Sequence, residues 1–258
     1  MRPGFWVVAL AASSTVLTAM KRIQAGPLAV WATGGTDQDG GGNGPAIVLC
    51  HGFGAPGEDL VPLARVIDAG PAVRWFFPEA PLSLEMGFGP PGRAWWMIDM
   101  ERIQQMMMRG TPRDLAAETP EGLAEAREAL EACLAALAKS HKLVRERTLL
   151  GGFSQGAMLC TEVQLNADEP FAGLAILSGA LISEDRWRPA AAARGKSIHA
   201  IATHGRRDPI LPFSSGEALS KMLEASGATI RFVGHNGAHE IPPVALQALA
   251  DLARDRLA

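Results

Sequence analysis

The sequence predicts an α/β fold in which a mostly parallel central sheet carries helices on both faces and forms a single domain. Short, continuous apolar segments such as residues 46–50 are typical of strands that are buried on both faces. Segments with amphipathic helical spacing alternate with these strands along the chain. The composition is the third observation: the 258 residues are 48% hydrophobic and 20% charged, which suffices for one large core and excludes a disordered chain.

Charge and cysteine content narrow the class of protein. The formal net charge of −3 argues against a nucleic-acid-binding protein, which would need a basic surface to contact phosphates. The cysteines Cys50, Cys133 and Cys160 are too few and too scattered for a disulfide framework or a zinc site, and we expect them to be buried. These features predict a soluble globular protein that binds no nucleic acid.

The first twenty residues differ in character from the rest. The stretch from Pro3 to Met20 is uncharged, and its apolar part fits the hydrophobic region of a signal peptide. Its serines and threonines weaken the case for a spanning helix, so no stable membrane insertion is expected. We therefore divide the chain into a head at 1–20 and a domain at 21–258. The protein is cytoplasmic if Met20 is the true start, and exported or periplasmic if the head is a signal.

The elements of the domain follow from the pattern in chain order. Strands are predicted at 28–33, 46–50, 73–77, 148–151, 174–177, 198–203 and 229–233. Residues 34–45 are rich in glycine and aspartate and predict a surface turn. One helix is predicted at 59–68 and a longer one after Thr119, an N-cap followed by proline at the first helical position. Further helices are expected to begin near Gln155, Ser215 and Pro242. In such a sheet, ligands bind beyond the carboxyl ends of the strands.

The most specific motif is Gly152-Phe153-Ser154-Gln155-Gly156, a G-x-S-x-G between a predicted strand and a predicted helix. A turn tight enough to expose the serine strains its backbone, and small neighbours prevent clashes. The helix N-terminus behind it stabilises negative charge. The bare pattern also fits a glycine-rich turn with an idle serine, but the strand–turn–helix context predicts that Ser154 is a nucleophile.

A serine nucleophile needs a histidine base that is itself oriented by a carboxylate. Asp208 follows the strand at 198–203 and His239 follows the strand at 229–233, so the chain order is Ser, Asp, His, as in α/β-hydrolases. Asp185 is the alternative acid, although it does not follow a clear strand. His235 is the alternative base, and with His239 it has metal-ligand spacing, but Gly237 between them makes a helical metal site improbable.

The segment His51-Gly52-Phe53-Gly54 follows the strand at 46–50. In a hydrolase this loop supplies one oxyanion-hole N–H, here from Phe53, and Gln155 supplies the other. The same segment begins a formal G-x-G-x-x-G over 52–57, with Glu79 where a ribose-binding acid would lie. A dinucleotide-binding oxidoreductase is therefore an alternative. Pro56 argues against it, because proline lacks the backbone N–H that a pyrophosphate would need.

Together these motifs resemble the phospholipase/carboxylesterase family of α/β-hydrolases, which includes the acyl-protein thioesterases. The resemblance covers about Ala46 to Pro243 and comprises His51-Gly52-Phe53-Gly54 with Asp59, Phe77-Pro78-x-Ala80-Pro81, Trp95-Trp96-x-Ile98-Asp99, Gly151 to Ala157, His204-Gly205-x-x-Asp208-x-x-x-Pro212 and His239-Glu240-Ile241.

This resemblance implies an α/β-hydrolase fold, no cofactor or metal, and hydrolysis of carboxylic ester or thioester bonds. It assigns Ser154 as nucleophile, Asp208 as orienting acid and His239 as base, with Phe53 and Gln155 as oxyanion donors. The chain departs from the family at Ala238, where glycine commonly precedes the histidine. It also departs in the loop at 82–110, which matches only at 95–99, so the substrate range is not implied.

That loop is unusual in composition, since it holds most of the methionines of the chain beside three aromatic residues. Thioethers and aromatic rings make an adaptable apolar surface that suits an acyl chain. We expect substrate contacts from Met86, Phe88, Trp95 and Trp96. The alternative is that these residues only pack onto the sheet.

The sequence therefore predicts a cofactor-independent serine hydrolase acting on a small acyl ester or thioester, including lysophospholipid-type substrates. A non-catalytic binding protein with the same fold is an alternative of another class. The oligomeric state is open, with a homodimer as one expectation.

Overall fold

The computed structural model describes residues 20–85, 91–99 and 114–258, together with Gln105 and Met108. The predicted head at 1–20 lies outside the described residues except for Met20. The strands are β1 (Lys21–Ala25), β2 (Leu28–Gly35), β3 (Asp39–Gly41), β4 (Ala46–Cys50), β5 (Arg74–Pro78), β6 (Leu82–Leu84), β7 (Gly92–Ala94), β8 (Thr148–Phe153), β9 (Gly173–Leu177), β10 (His199–Gly205) and β11 (Thr229–His235). The helices are α1 (Leu63–Val66), α2 (Leu123–His141), α3 (Gln155–Asn166), α4 (Glu184–Arg194), α5 (Phe213–Ala225) and α6 (Pro243–Leu257).

Within the described residues, nine strands form one sheet in the order β1-β2-β5-β4-β8-β9-β10-β11, with β3 paired to β2. The neighbours from β5 to β11 pair in parallel, whereas β1 and β2 form an antiparallel edge. The predicted mostly parallel sheet is therefore confirmed. Strands β6 and β7 form a separate antiparallel pair.

The core lies on both faces of this sheet, as the apolar strands require. Along β4, Ala46, Val48 and Cys50 join one hydrophobic cluster, while Ile47 and Leu49 join the other. Helices α2, α3, α4 and α5 complete the first cluster, and α1 and α6 complete the second. Because successive side chains of a strand point to opposite faces, a strand between two helical layers is apolar throughout.

The parallel register brings the functional loops to one edge. Cys50 lies opposite Gly152 and Gly205 lies opposite His235. The loops that follow β4, β8, β10 and β11 therefore emerge side by side at the carboxyl ends of the strands. This is the edge at which a parallel sheet binds ligands.

Two helix predictions were wrong in extent. Only Leu63–Val66 is helical within the predicted helix at 59–68, because the preceding residues form successive tight turns such as Asp59 N–H to Pro56 carbonyl. Helix α2 begins at Leu123 rather than after Thr119, because Gly122 adopts a left-handed φ of 88° that no helix interior accepts. Pattern reading also missed β1, β3, β6, β7 and α4, most of which are short or lie at an edge.

The described helices include none that is both long and apolar enough to span a membrane.

Candidate active site

Ser154 lies at the sharp turn between β8 and α3. Its backbone has φ 54° and ψ −115°, a positive φ that residues with a side chain rarely adopt. Its N–H donates to the carbonyl of Leu177 at 2.8 Å, and its own carbonyl accepts from the N–H groups of Ala157 and Met158. The turn is thus held from both sides, and it presents the serine at the carboxyl edge of the sheet with the first turn of α3 behind it.

Glycines at 152 and 156 permit this turn for a steric reason. A Cβ on Gly156 would lie 2.1 Å from the carbonyl oxygen of Cys50, and a Cβ on Gly152 would lie 2.6 Å from the same oxygen. Both distances are far below van der Waals contact, and the obstructing atom belongs to the backbone of β4. The two glycines of the G-x-S-x-G pattern are therefore required because α3 and the turn before it pack closely against β4.

Asp208 and His239 meet at the same edge. His239 Nδ1 donates a hydrogen bond to Asp208 Oδ2 at 2.7 Å. The Asp208 side chain is fully buried, and its other oxygen accepts the N–H groups of Ile210 and Leu211 at 2.8 and 2.9 Å. This network fixes the imidazole with Nδ1 protonated, which leaves Nε2 free to accept a proton.

A second histidine, His204, contacts the same carboxylate, a role that its sequence motif did not predict. It is fully buried at the end of β10, and its Nε2 lies 3.3 Å from Asp208 Oδ2 and 2.9 Å from the carbonyl oxygen of Leu211. Burial by itself raises the pKa of Asp208, but the hydrogen bonds from His204 and His239 outweigh burial and hold that pKa well below its ordinary value. The spacing of four residues between His204, near the end of β10, and Asp208 in the loop that follows was the available signal.

The loop after β4 approaches the nucleophile closely. A Cβ built on Gly52 would lie 3.4 Å from the Cβ of Ser154, so the backbone of this loop passes beside the serine. Within the described part of the chain, neither the N–H of Phe53 nor that of Gln155 donates a hydrogen bond to a backbone carbonyl. Both predicted oxyanion donors are therefore available to a ligand beside Ser154.

The ring of His239 lies against Phe153, with ring centroids 4.8 Å apart, so the candidate base is next to the residue that precedes Ser154. Among the described residues, no hydrogen bond joins the hydroxyl of Ser154 to His239. Such contacts are often long without a substrate and tighten when one binds. The assignment of Ser154, Asp208 and His239 as a triad stays a prediction that this arrangement supports.

The alternatives to these residues make other contacts. Asp185 is exposed at the start of α4, where its carboxylate accepts the N–H of Arg186. His235 ends β11 and is buried, with its Nδ1 accepting the N–H of Gly237. Of the described residues, no three histidines, cysteines or acidic residues are grouped in a way that would hold a metal ion. All three cysteines are buried and free, as expected.

The predicted substrate residues have mixed outcomes. Met86 and Phe88 lie outside the described residues. Trp95 and Trp96 are only 2% and 3% exposed and belong to the core cluster of α2 and α3. The structure gives these two tryptophans a packing role, and their contact with a substrate stays a prediction. Met97 is 62% exposed, so apolar surface is present beside them.

The dinucleotide alternative has little support in the loop geometry. Residues 54–62 form turns, so the segment at 52–57 does not lead into the N-terminus of a long helix where a pyrophosphate would bind. The position that a Cβ of Gly57 would take is filled by the side chain of Glu79 at 2.1 Å. Glu79 itself binds Arg22 through two hydrogen bonds of 2.8 and 3.0 Å, which occupy both of its carboxylate oxygens.

Comparison with known proteins agrees with this geometry. Residues 39–254 match the family model described as phospholipase/carboxylesterase. Acyl-protein thioesterase 1 of Schizosaccharomyces pombe is 28% identical over 182 residues, which cover 69% of this chain and 74% of that protein. Among solved structures, esterase PE8 superposes with a TM-score of 0.68 at 25% identity, covering 90% of this chain and 99% of the other. Acyl-protein thioesterase 2 of Zea mays has a TM-score of 0.66 at 21% identity, covering 89% and 99%. The predicted α/β-hydrolase fold is thereby confirmed.

Proposed function

Because this chain belongs to the phospholipase/carboxylesterase family and is a hydrolase, we propose that it cleaves carboxylic esters or thioesters of small acyl substrates through an acyl-enzyme on Ser154. One observation carries the proposal: a buried carboxylate, Asp208, holds His239 by a 2.7 Å hydrogen bond at the edge of the sheet where the strained, half-buried Ser154 lies. A histidine that a carboxylate orients in this way is the base that a serine nucleophile needs.

In the acylation step, Ser154 Oγ attacks the acyl carbonyl carbon while His239 Nε2 takes the hydroxyl proton. The carbonyl π electrons move to the oxygen, and the N–H groups of Phe53 and Gln155 stabilise the charge that develops there. Asp208 remains ionised throughout and stabilises the imidazolium, which its low pKa permits. The intermediate then collapses, the bond to the leaving oxygen or sulfur breaks, and His239 gives its proton to the leaving group.

Deacylation repeats these steps with water as the nucleophile. His239 removes one proton from water as the oxygen attacks the acyl-enzyme carbonyl. The second tetrahedral intermediate releases the carboxylic acid, and the proton returns from His239 to Ser154 Oγ. No oxidant, reductant or cofactor enters this sequence.

The substrate class is proposed from the relatives and from the surface. One relative is named an acyl-protein thioesterase and one structural neighbour an esterase, so both bond types are tested. The exposed Met97 and Met108 offer apolar surface that suits an acyl chain. A panel of p-nitrophenyl esters and acyl thioesters of increasing chain length measures how kcat/KM depends on the bond type and on the length of the acyl chain. A rising kcat/KM with chain length supports the acyl-chain role, and activity confined to acetyl groups contradicts it.

The proposal is tested by replacing the nucleophile. Ser154→Ala should lower turnover of a p-nitrophenyl ester by about 10⁴–10⁶-fold while the melting temperature stays close to that of the wild type. Ser140→Ala, at an exposed position near the end of α2, is the matched control and should retain full activity. Near-normal hydrolysis by Ser154→Ala would refute the assignment. A wild-type protein that hydrolyses no ester or thioester would favour the non-catalytic binding protein.

A further inference from the structure

Resting on the proposed function, we propose that the side chain of Gln155 is a positioning device that ties both oxyanion donors to one strap, defined here as residues 93–96. The backbone N–H of Gln155 is one of the two donors, but its side chain points elsewhere and makes contacts that the reaction itself does not require. The strap includes Trp95 and Trp96, for which the sequence suggested a substrate role.

The first set of contacts joins the strap to the turn between β8 and α3. The side chain of Gln155 is fully buried. Its Oε1 accepts the backbone N–H of Trp95 at 2.9 Å, and its Nε2 donates to the backbone carbonyl of Trp96 at 2.8 Å. An amide that both accepts and donates in this way fixes the strap in register with the first residue of α3. It also fixes the orientation of Gln155 itself.

The second set of contacts joins the same strap to the other donor. The N–H of Gly54 donates to the carbonyl of Arg93 at 2.8 Å, and the N–H of Arg93 donates to the carbonyl of Ala55 at 2.9 Å. The indole Nε1 of Trp95 donates to the carbonyl of His51 at 3.0 Å. Phe53 therefore lies in a loop that is bonded to the strap on both sides.

The two sets together connect Phe53 and Gln155 through a few buried hydrogen bonds. An oxyanion hole works when its donors are already placed where negative charge will develop, and a shift of about 1 Å costs on the order of 10²-fold in rate. The loop after β4 and the turn after β8 come from different strands, so their relative position needs a tie. The strap, held by Gln155, supplies that tie, and it gives the indole of Trp95 a role that needs no contact with substrate.

The test is the Gln155→Met variant, which keeps the volume and the backbone N–H but removes both side-chain hydrogen bonds. We expect kcat to fall by about 10–100-fold while KM changes by less than about threefold, because the donors act mainly in the transition state. Affinity for a boronic acid that forms a tetrahedral adduct on Ser154 should fall by a similar factor. Gln164→Met is the matched control, because Gln164 is a buried glutamine on the same helix whose Oε1 accepts the N–H of Phe171, away from the oxyanion donors. Its kcat should stay at the wild-type value.

Trp95→Phe tests the contact between the strap and the loop after β4, and it is the second variant if Gln155→Met does not fold. It keeps an aromatic ring in the core but removes the donor to His51, and kcat should fall severalfold at unchanged KM. Rates are expressed per Ser154 labelled at end point by a fluorophosphonate, so loss of folded enzyme does not count as loss of rate. Unchanged kcat per labelled site in the folded variants, with a lowered melting temperature alone, would overturn the proposal. If wild-type Ser154 is neither labelled nor required, the proposed function fails instead.

Discussion

His204 Nε2 lies 3.3 Å from Asp208 Oδ2, the oxygen that also accepts the 2.7 Å hydrogen bond from His239. With Ile210 and Leu211 on Oδ1, the buried carboxylate therefore faces four donors. Such a carboxylate has little freedom to rotate, and its charge is shared between two imidazoles. Asp208 thus joins His239 and His204 in one network, and the predicted triad would add Ser154 to it.

The Asp208→Asn variant tests the orienting role of the carboxylate. In this variant an amide NH₂ group replaces Oδ2 and donates to Nδ1 of His239, which favours the tautomer that carries its proton on Nε2. A protonated Nε2 cannot accept the proton of Ser154. We expect kcat to fall by about 10⁴-fold with the fold retained. Steady-state kinetics together with a circular dichroism spectrum measure both. A loss below about tenfold would remove Asp208 from the mechanism.

We expect His204 to act through the hydrogen bond that its Nε2 donates. Two variants distinguish the loss of that hydrogen bond from a change in side-chain volume. His204→Gln keeps a nitrogen near the Nε2 position, whereas His204→Leu removes it. We expect His204→Leu to lose about tenfold or more in kcat and His204→Gln to recover most of that loss, since a hydrogen bond to a charged group contributes about 1.5–3 kcal/mol. Equal kinetics in the two variants would show that His204 only fills space.

The same pair predicts a pH effect with a definite sign. Burial lowers the pKa of His204, but its hydrogen bonds to Asp208 and to the carbonyl of Leu211, together with the charge of Asp208, outweigh burial and raise the pKa overall. His235 on β11 is a further titratable neighbour. A raised histidine pKa stabilises the fold below its ordinary value of about 6.5, and that contribution is lost as the pH rises through the folded-state value. The melting temperature of the wild type should therefore exceed that of His204→Gln most at acidic pH. A difference that grows towards alkaline pH would contradict this.

We expect Gly216→Ala in α5 to destabilise the protein, although replacing glycine by alanine within a helix is ordinarily stabilising. A Cβ at this position would lie 2.3 Å from His204 Nδ1, so Gly216→Ala must displace the ring that supports Asp208. We expect lower kcat and a lower melting temperature, although helix propensity alone favours alanine by about 1 kcal/mol. Ser214→Ala, at an exposed position of the same helix, should be neutral or stabilising. A stabilised, fully active Gly216→Ala would show that the ring is not confined.

His51 should make the protein sensitive to acid. Burial lowers its pKa from 6.5 to about 4, and the neutral ring accepts the N–H of Ala80 at Nε2 while Nδ1 donates to the carbonyl of Gly52. The unfolded chain binds the proton first, so stability falls as the pH falls below the ordinary value. Between about pH 7.5 and about pH 5 this single group should remove roughly 2 kcal/mol from the free energy of unfolding. Free energies of unfolding from urea titrations should fall between these two pH values by about 2 kcal/mol more in the wild type than in His51→Asn, and equal changes in the two proteins would contradict a neutral, buried His51.

Much of this arrangement could be predicted from the sequence because each strand that matters is a short apolar run with a polar motif at its carboxyl end. The pattern placed Ser154, Asp208 and His239 after three different strands, and the parallel register then brings those loops together. Local chemistry also explains the failures. Gly122 breaks the expected start of α2 because of its left-handed φ, which composition does not reveal.

The network behind the site could not be predicted in the same way. The side chain of Gln155 acts through contacts to residues about 60 positions away, which no periodicity signals. His204 is only four residues from Asp208, but that spacing alone does not show that its ring reaches the carboxylate. The sequence left two roles open for Trp95 and Trp96, contact with a substrate or packing onto the sheet, and only the structure shows that both are buried and that their backbone bonds to the side chain of Gln155. A residue that positions another differs from a core residue only in its partners, and those appear only in three dimensions.

The most direct test of the account is to identify the residue that carries the acyl group. The wild-type protein is treated with a fluorophosphonate, digested, and mapped by mass spectrometry while residual esterase activity is followed. The account predicts one adduct, on Ser154, whose stoichiometry rises in proportion to the activity lost. Full loss of activity with the adduct on another residue, or active enzyme that leaves Ser154 unlabelled, would contradict it.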